Sequence, residues 1–225
     1  MKDVIDKYLW FNMLAMDEVI KLYQKDGGFV RVFSKIRFWD APYSIVERIV
    51  PEKGNIVEIG CGEGIFTNYL GITSQKRDIL GIEINRKRLG KANRGIRNVK
   101  FKYGDATKVK LPRADSIILF HLLHHLLSFS DQEKVIRKCL LALKPGGKLI
   151  IVEVDKKFSL KYLFTWLTDH FFVPWVFEGR FYSPIFFRSG KDWLSVLNNL
   201  GMKCKARSAE KGMPFTHIII SGVKY

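Results

Sequence analysis

Acidic side chains are scarce in this sequence: 22 Asp and Glu stand against 38 Lys and Arg, a formal net charge of +16. That balance draws polyanions such as nucleic acid, anionic lipid or acidic small molecules, although it also serves solubility alone. Cysteine is nearly absent. Cys61, Cys139 and Cys204 are odd in number and far apart, which excludes a disulfide framework and any cysteine-based metal spacing, and makes a reducing cytoplasm the expected setting. The first 26 residues mix acids and bases with apolar residues and have no uninterrupted apolar core, unlike a signal peptide. Repeats, low-complexity tracts and Gly/Ser linkers are missing too. A chain of 225 residues is therefore expected to be a single domain, residues 1–225.

What is present is an alternation. Residues 1–50 read as N-terminal helices: Val4, Tyr8, Phe11, Ala15, Val19, Leu22 and Tyr23 recur at helical spacing, predicting a helix over Asp3–Lys25, and Pro42 suits the first turn of a second helix over Pro42–Val50. Residues 55–154 then alternate. Strands are predicted at Asn55–Ile59, Asp78–Ile84, Val99–Tyr103, Asp115–Phe120 and Lys148–Val154. Helices are predicted at Gly64–Leu70, Arg86–Arg94 and Asp131–Leu143, the last stopped by Lys144-Pro145-Gly146-Gly147. Such a pattern argues for an α/β fold with a parallel sheet covered on both faces. Residues 156–189 break the pattern: Phe158–Phe187 holds twelve aromatics and only four charged residues, Lys161, Asp169, Glu178 and Arg180. They read as an aromatic cap inserted after the fifth strand. Residues 190–225 return to a helix (Lys191–Leu200) and two strands (Met202–Ala209 and Phe215–Val223).

In open parallel sheets ligands sit beyond the carboxyl ends of the strands, where strand order reverses. The first predicted strand ends in Gly60-Cys61-Gly62-Glu63-Gly64, where glycine permits positive φ and close approach of a ligand to the backbone. Glu83 ends the second strand, where a carboxylate can accept both ribose hydroxyls. Gly104-Asp105-Ala106 follows the third, where a carboxylate can accept an exocyclic purine amine. A nicotinamide dinucleotide is the nearest competitor, but its fingerprint is G-x-G-x-x-G. Here the spacing is G-x-G-x-G, and Glu58 precedes it. A carboxylate there is unhelpful beside a pyrophosphate and suits a ligand whose tail carries an ammonium.

Val57–Gly64 (VEIGCGEG), Leu80–Asn85 (LGIEIN), Gly104–Ala106 (GDA), Ala114–Leu126 (ADSIILFHLLHHL) and Leu143–Val154 (LKPGGKLIIVEV) together resemble the class I S-adenosylmethionine-dependent methyltransferases, in that family's order over about one hundred residues. The resemblance implies a three-layer Rossmann-like fold with a seven-stranded, mostly parallel sheet and a final antiparallel strand. It implies S-adenosylmethionine as cofactor, with Glu58 and Gly60 near the methionine end, Glu83 on the ribose, Asp105 and Ala106 at the adenine, Ile84 on the adenine face and Phe120 near the reacting methyl. Cys61, Gly62 and Gly64 complete the cofactor loop, Cys61 as a small filler.

Methyl transfer from a sulfonium is a direct displacement, so the protein supplies alignment and water exclusion, and a base only if the acceptor must lose a proton. The run Phe120–Leu126 lacks the Asn/Asp-Pro-Pro-aromatic motif of amino-methylating nucleic-acid enzymes. It resembles the corresponding stretch of small-molecule and quinone- or lipid-type methyltransferases. His121 or His124 can serve as a base, while the plainer role for His124 and His125 is to pack or cap the following helix. A metal site is not expected, since no Cys or acid stands near the histidines in sequence. The cap either walls an apolar acceptor pocket, with Tyr182 and Arg180 orienting the acceptor, or touches a membrane surface through Trp166 and Trp175, or simply packs on the sheet. Tyr162–Phe177 is too short and too interrupted to span a bilayer. The expected acceptor is small or lipid-like. RNA is the alternative, motivated by thirteen Lys/Arg between Lys76 and Arg113.

Overall fold

The computed structural model describes residues 2–26, 28–172, 175, 181–182 and 184–225, with side chains described from Asn12 onward, Phe29 aside. Helix α1 (Lys2–Leu22) buries Ala15 and Val19, and Tyr23 follows them into the core; the side chains of Val4, Tyr8 and Phe11 lie outside the described set. Helix α2 (Gly28–Asp40) occupies a stretch for which the sequence predicts no element. Gly27-Gly28 reads as a stop, yet Val30, Phe33, Ser34, Arg37 and Phe38 recur three or four residues apart. Val30 and Ser34 are buried, and Phe33 and Phe38 pack on the core. Tertiary burial outweighs the poor local propensity. The short α3 (Tyr43–Glu47) follows Pro42 and ends earlier than expected.

The sheet contains β1 (Gly54–Ile59), β2 (Arg77–Glu83), β3 (Val99–Tyr103), β4 (Ala114–Phe120), β5 (Leu143–Glu153), β6 (Cys204–Ser208) and β7 (Ile218–Val223) in the order β3-β2-β1-β4-β5-β7-β6. β7 runs antiparallel to both of its neighbours and the other pairings are parallel. The central strands are apolar runs because both faces are covered. Alternate residues sort to opposite sides. Ile56, Ile118, Phe120, Ile150 and Val152 meet residues of the N-terminal helices and α4 (Ile65–Thr73). Val57, Ile59, Ile117, Leu119 and Ile151 meet α6 (Phe129–Ala142) and α8 (Gly190–Asn199). Each such side chain, removed from water, contributes roughly 1.5–3 kcal/mol. The result is three layers.

Two elements differ from expectation for identifiable reasons. Helix α5 covers only Arg86–Leu89, not Arg86–Arg94. The Asn85 side chain caps its start by accepting from Lys87 N and Arg88 N, but Arg86, Lys87, Arg88 and Lys91 crowd like charges onto neighbouring turns, and Gly90 ends it. Strand β5 starts at Leu143, ahead of the glycines expected to form a loop. Leu143 already pairs with Ala114, the register slips, and pairing resumes at Lys148 with Ser116. Gly146 N donates to Lys224 O at 2.7 Å and Lys224 N to Gly147 O at 2.8 Å, so Lys224, just past the last strand, holds the bulge in place. In the cap, Ser159 caps α7 (Leu160–Leu167) through Tyr162 N, and a wide turn over Thr168–Phe172 continues it.

Candidate active site

β1 carries Glu58 to the carboxyl edge of the sheet, where its side chain is buried and accepts from Thr67 Oγ1. Burial pushes its carboxyl up to about 7 against the pull of Thr67 and Arg37. The chain then turns through Gly60 at φ 80°. A Cβ there would lie 2.8 Å from Leu122 Cδ1, so only glycine lets the turn sit this close to the residues after β4. Gly62 N donates to Glu83 Oε2 at 2.8 Å, and Asn85 N donates to Oε1 at 2.7 Å. The carboxylate at the end of β2 is thus aimed by backbone on both sides. Cys61 is buried, and burial lifts its thiol well above the usual range, which suits a filler better than a nucleophile. Gly62 and Gly64 shape the turn without lining the cavity; Gly64 backs onto Phe101 and Ala92.

A cavity of about 1460 Å³ begins at this loop. Glu58, Gly60, Cys61, Glu83, Ile84, Asp105 and Phe120 all line it. Ile84 is half exposed, as a shelf for a flat ring would be. Asp105 Oδ1 accepts from Thr107 N and Oγ1, which hold the carboxyl below its ordinary range. Ala106 is the exception. It is buried between β2 and β4 side chains, its carbonyl accepts from Lys138 Nζ at 2.9 Å, and it is not part of the wall. Thr107 and Lys108 stand there instead.

The far half of the same cavity is built by α2, the residues after β4 and the cap. His121 is the one non-glycine residue at positive φ (49°) among the described residues. Both of its ring nitrogens are engaged. His217 Nε2 meets the Asp40 carbonyl at 2.6 Å and must donate, so His217 Nδ1 accepts from His121 Nε2 at 3.1 Å. His121 Nδ1 is then left to accept from Arg37 Nη2 at 3.3 Å. Arg37 also grips both Asp40 carboxylate oxygens at 3.2 Å, which closes the ring. Burial, with His217 and Arg37 nearby, drives His121 well below 6.5 and it stays neutral. His124 is placed differently. Its Nδ1 donates to Glu153 Oε2, while Glu153 Oε1 accepts from Leu122 N and Leu123 N. Its Nε2 faces Asp169 Oδ2 of the cap at 3.8 Å. Burial opposes charging, but Glu153, aided by Asp169, outweighs it and holds His124 above 6.5. Tyr182 is half exposed, its ring against His170 and Phe171, and does not line the cavity. Arg180 lies outside the described residues.

Residues 34–204 match the family described as methyltransferase domain. The chain belongs to that family. This methyltransferase domain has the Rossmann-like, S-adenosylmethionine-dependent architecture. It is 29% identical over 148 residues to a demethylmenaquinone methyltransferase of Thermotoga maritima, covering 62% of this chain and 62% of that one. It is 30% identical over 145 residues to indole glucosinolate O-methyltransferase 5 of Arabidopsis thaliana, covering 64% of this chain and 36% of the plant protein. The chain thus spans less than two thirds of the length of either curated relative. A solved S-adenosylmethionine-dependent methyltransferase of Methanosarcina mazei shares the fold with a TM-score of 0.63 at 20% identity, over 82% of this chain and 98% of that one.

The sequence points to the strand-end wall of this cavity in the methyltransferase domain but not to Arg37, Asp40, Glu153, Asp169 or His217, which reach it from elements far apart in the chain. The helical spacing within α2 was the available signal for the first two. The basic stretch before Arg113 is partly consumed internally: Arg77 pairs with Glu47, Arg88 with Glu63 and Arg94 with Asp26, and Arg86 lies over Tyr103. Among the described residues no group of three or more His, Cys, Asp or Glu is set to hold a metal ion, and no helix is long and apolar enough to cross a membrane. Glu83→Ala is expected to weaken S-adenosylhomocysteine binding by about 1–3 kcal/mol, since Gly62 N and Asn85 N lose the acceptor that holds the loop after β1; isothermal calorimetry reads this directly.

Proposed function

We propose that this chain transfers a methyl group from S-adenosylmethionine to a small, largely apolar acceptor by direct displacement. The observation that carries the reading is continuity: the single cavity of about 1460 Å³ joins Glu58 and Glu83 to His124 and to Phe164, Phe171, Phe172 and Trp175 of the cap. A pocket for one small ligand occupies about 300–1,000 Å³, so this one accommodates cofactor and acceptor together. The names of the curated relatives, which act on small molecules, support the same class.

The donor set fits the cofactor. Glu58 would hold the ammonium of the methionine tail, Glu83 the ribose hydroxyls, Asp105 the adenine amine and Ile84 the ring face. When bound, S-adenosylmethionine supplies an electrophilic methyl. The chain's task is to align the acceptor, exclude water and take a proton. His121 has no free ring nitrogen, so the base role falls to His124, oriented by Glu153. The aromatic cap and α2 exclude water from the reacting end.

Two measurements test this. Calorimetry should show binding of S-adenosylmethionine and S-adenosylhomocysteine but not NAD, and label from the methyl-labelled cofactor should pass to an organic-extractable product rather than to bulk RNA. Binding should also release a proton. With Glu58 pushed up to about 7 in the free protein, it is largely protonated well below pH 7, and an ammonium against the carboxyl would expel that proton. The release should be greatest below pH 7 and fade as pH rises past it, measured in buffers of different ionisation enthalpy. Glu58→Gln should abolish the release.

A further inference from the structure

The chain as a whole is strongly basic, but its cavity is not. Among the described residues the lining holds seven acidic residues (Asp40, Glu58, Glu63, Glu83, Asp105, Asp131, Asp169) and three cationic ones, Arg37, Arg88 and Lys108. An interior with an excess of acidic groups, walled by apolar side chains, favours ligands of the opposite charge. Glu58 and Glu83 answer the cofactor. In the acceptor half, Arg37 is matched by its own Asp40, and Arg88 by Glu63 in the other half. Glu153 and Asp169 flank His124, whose single positive charge can offset only one of them. Asp169 is 16% exposed at its side chain, and its nearest charged partner among the described residues is His124 Nε2 at 3.8 Å, beyond hydrogen-bond reach. Phe164, Phe171, Phe172 and Trp175 of the cap line the same cavity. Burial pushes the Asp169 carboxyl up to about 6 against the pull of His124 and Arg37, so a cationic ligand beside it would favour its charged form, and aromatic faces add attraction for that ligand.

We propose that the acceptor is an amine with an apolar body, bound as its ammonium with the nitrogen between Asp169 and His124. This rests on the methyltransferase reading and narrows its substrate class to a basic nitrogen. Neutral His124 takes one ammonium proton at Nε2. The freed lone pair then forms the N–C bond to the methyl as the C–S bond breaks, and that electron pair stays on sulfur. The nitrogen becomes positive again and Asp169 offsets it, while the cofactor leaves as a neutral thioether. Acceptors bearing phosphate or carboxylate at the reacting end meet repulsion from the same wall.

The test uses the full chain saturated with S-adenosylhomocysteine, titrated by calorimetry at pH 7.5 with phenethylamine and tryptamine and with the matching alcohols, 2-phenylethanol and tryptophol. The amines should bind at least about tenfold more tightly than the alcohols. Asp169→Asn should erase that preference while S-adenosylhomocysteine affinity and melting temperature hold, and Asp169→Glu should retain part of it. Equal affinities, tighter alcohols, no amine binding, or a preference that survives Asp169→Asn would each overturn the proposal. Failure of S-adenosylhomocysteine itself to bind would instead overturn the cofactor reading on which it rests.

Discussion

His124→Ala is expected to lower kcat by about 10²–10⁴-fold and to leave the dissociation constant of S-adenosylmethionine unchanged. The split follows from position. His124 stands at the acceptor end, hydrogen-bonded to Glu153 and facing Asp169, and makes no contact with Glu58 or Glu83. The pH profile provides the second signature. Only neutral imidazole accepts a proton, and Glu153 with Asp169 holds His124 above 6.5. The wild-type rate should therefore climb as pH rises through a value above 6.5, and this limb should vanish in His124→Ala. Glu153→Gln should move the limb to lower pH, because the neutral amide no longer favours the imidazolium. A limb that stays in place in Glu153→Gln would show that another group titrates.

The largest loss of stability is expected from Arg77→Ala. Arg77 is 2% exposed at the start of β2. Its guanidinium donates to Pro51 O, Leu70 O, Thr73 Oγ1, Val50 O and Glu47 Oε1. One side chain thereby ties α3 and its following turn to the end of α4. Removing one partner of a buried pair costs about 3–5 kcal/mol, out of about 5–15 kcal/mol for a whole domain. A chain of this size should melt roughly 6–20 °C lower. Lys144→Ala is the contrasting control. It breaks the Lys144–Asp115 pair, which is about one-third exposed on both sides, and should cost less than about 1 kcal/mol. Thermal unfolding followed by circular dichroism distinguishes the two, and equal shifts would contradict the placement of Arg77 as a buried tie.

The strand-end wall of the cavity is legible in the sequence because its parts are local. Gly60, Glu83 and Asp105 each sit at the end of a strand, and consecutive parallel strands bring their ends to one edge without further information. Helix α2 is harder to see: its opening glycines and its mixture of aromatic and basic residues hide a face that becomes apolar only against the core. The acceptor half is harder still. Arg37 meets His121 across 84 residues, His121 meets His217 across 96, and Asp40 meets His217 across 177. No local pattern encodes such meetings. Tyr182 illustrates the opposite error, a polar residue in the right segment that stacks on its neighbours outside the cavity. Ala106 does the same beyond β3, where Lys138 claims its carbonyl.

The closed ring of Arg37, His121, His217 and Asp40 has a consequence for the order in which this protein becomes competent. Chains fold progressively as they leave the ribosome, N-terminal parts first. The residues after β4 are held by Glu153 at the end of β5, and the ring itself needs His217, which emerges only when β7 is about to be made. The wall that α2 shares with the residues after β4 is therefore locked only when the last strand enters the sheet, whatever part of the chain has formed before it.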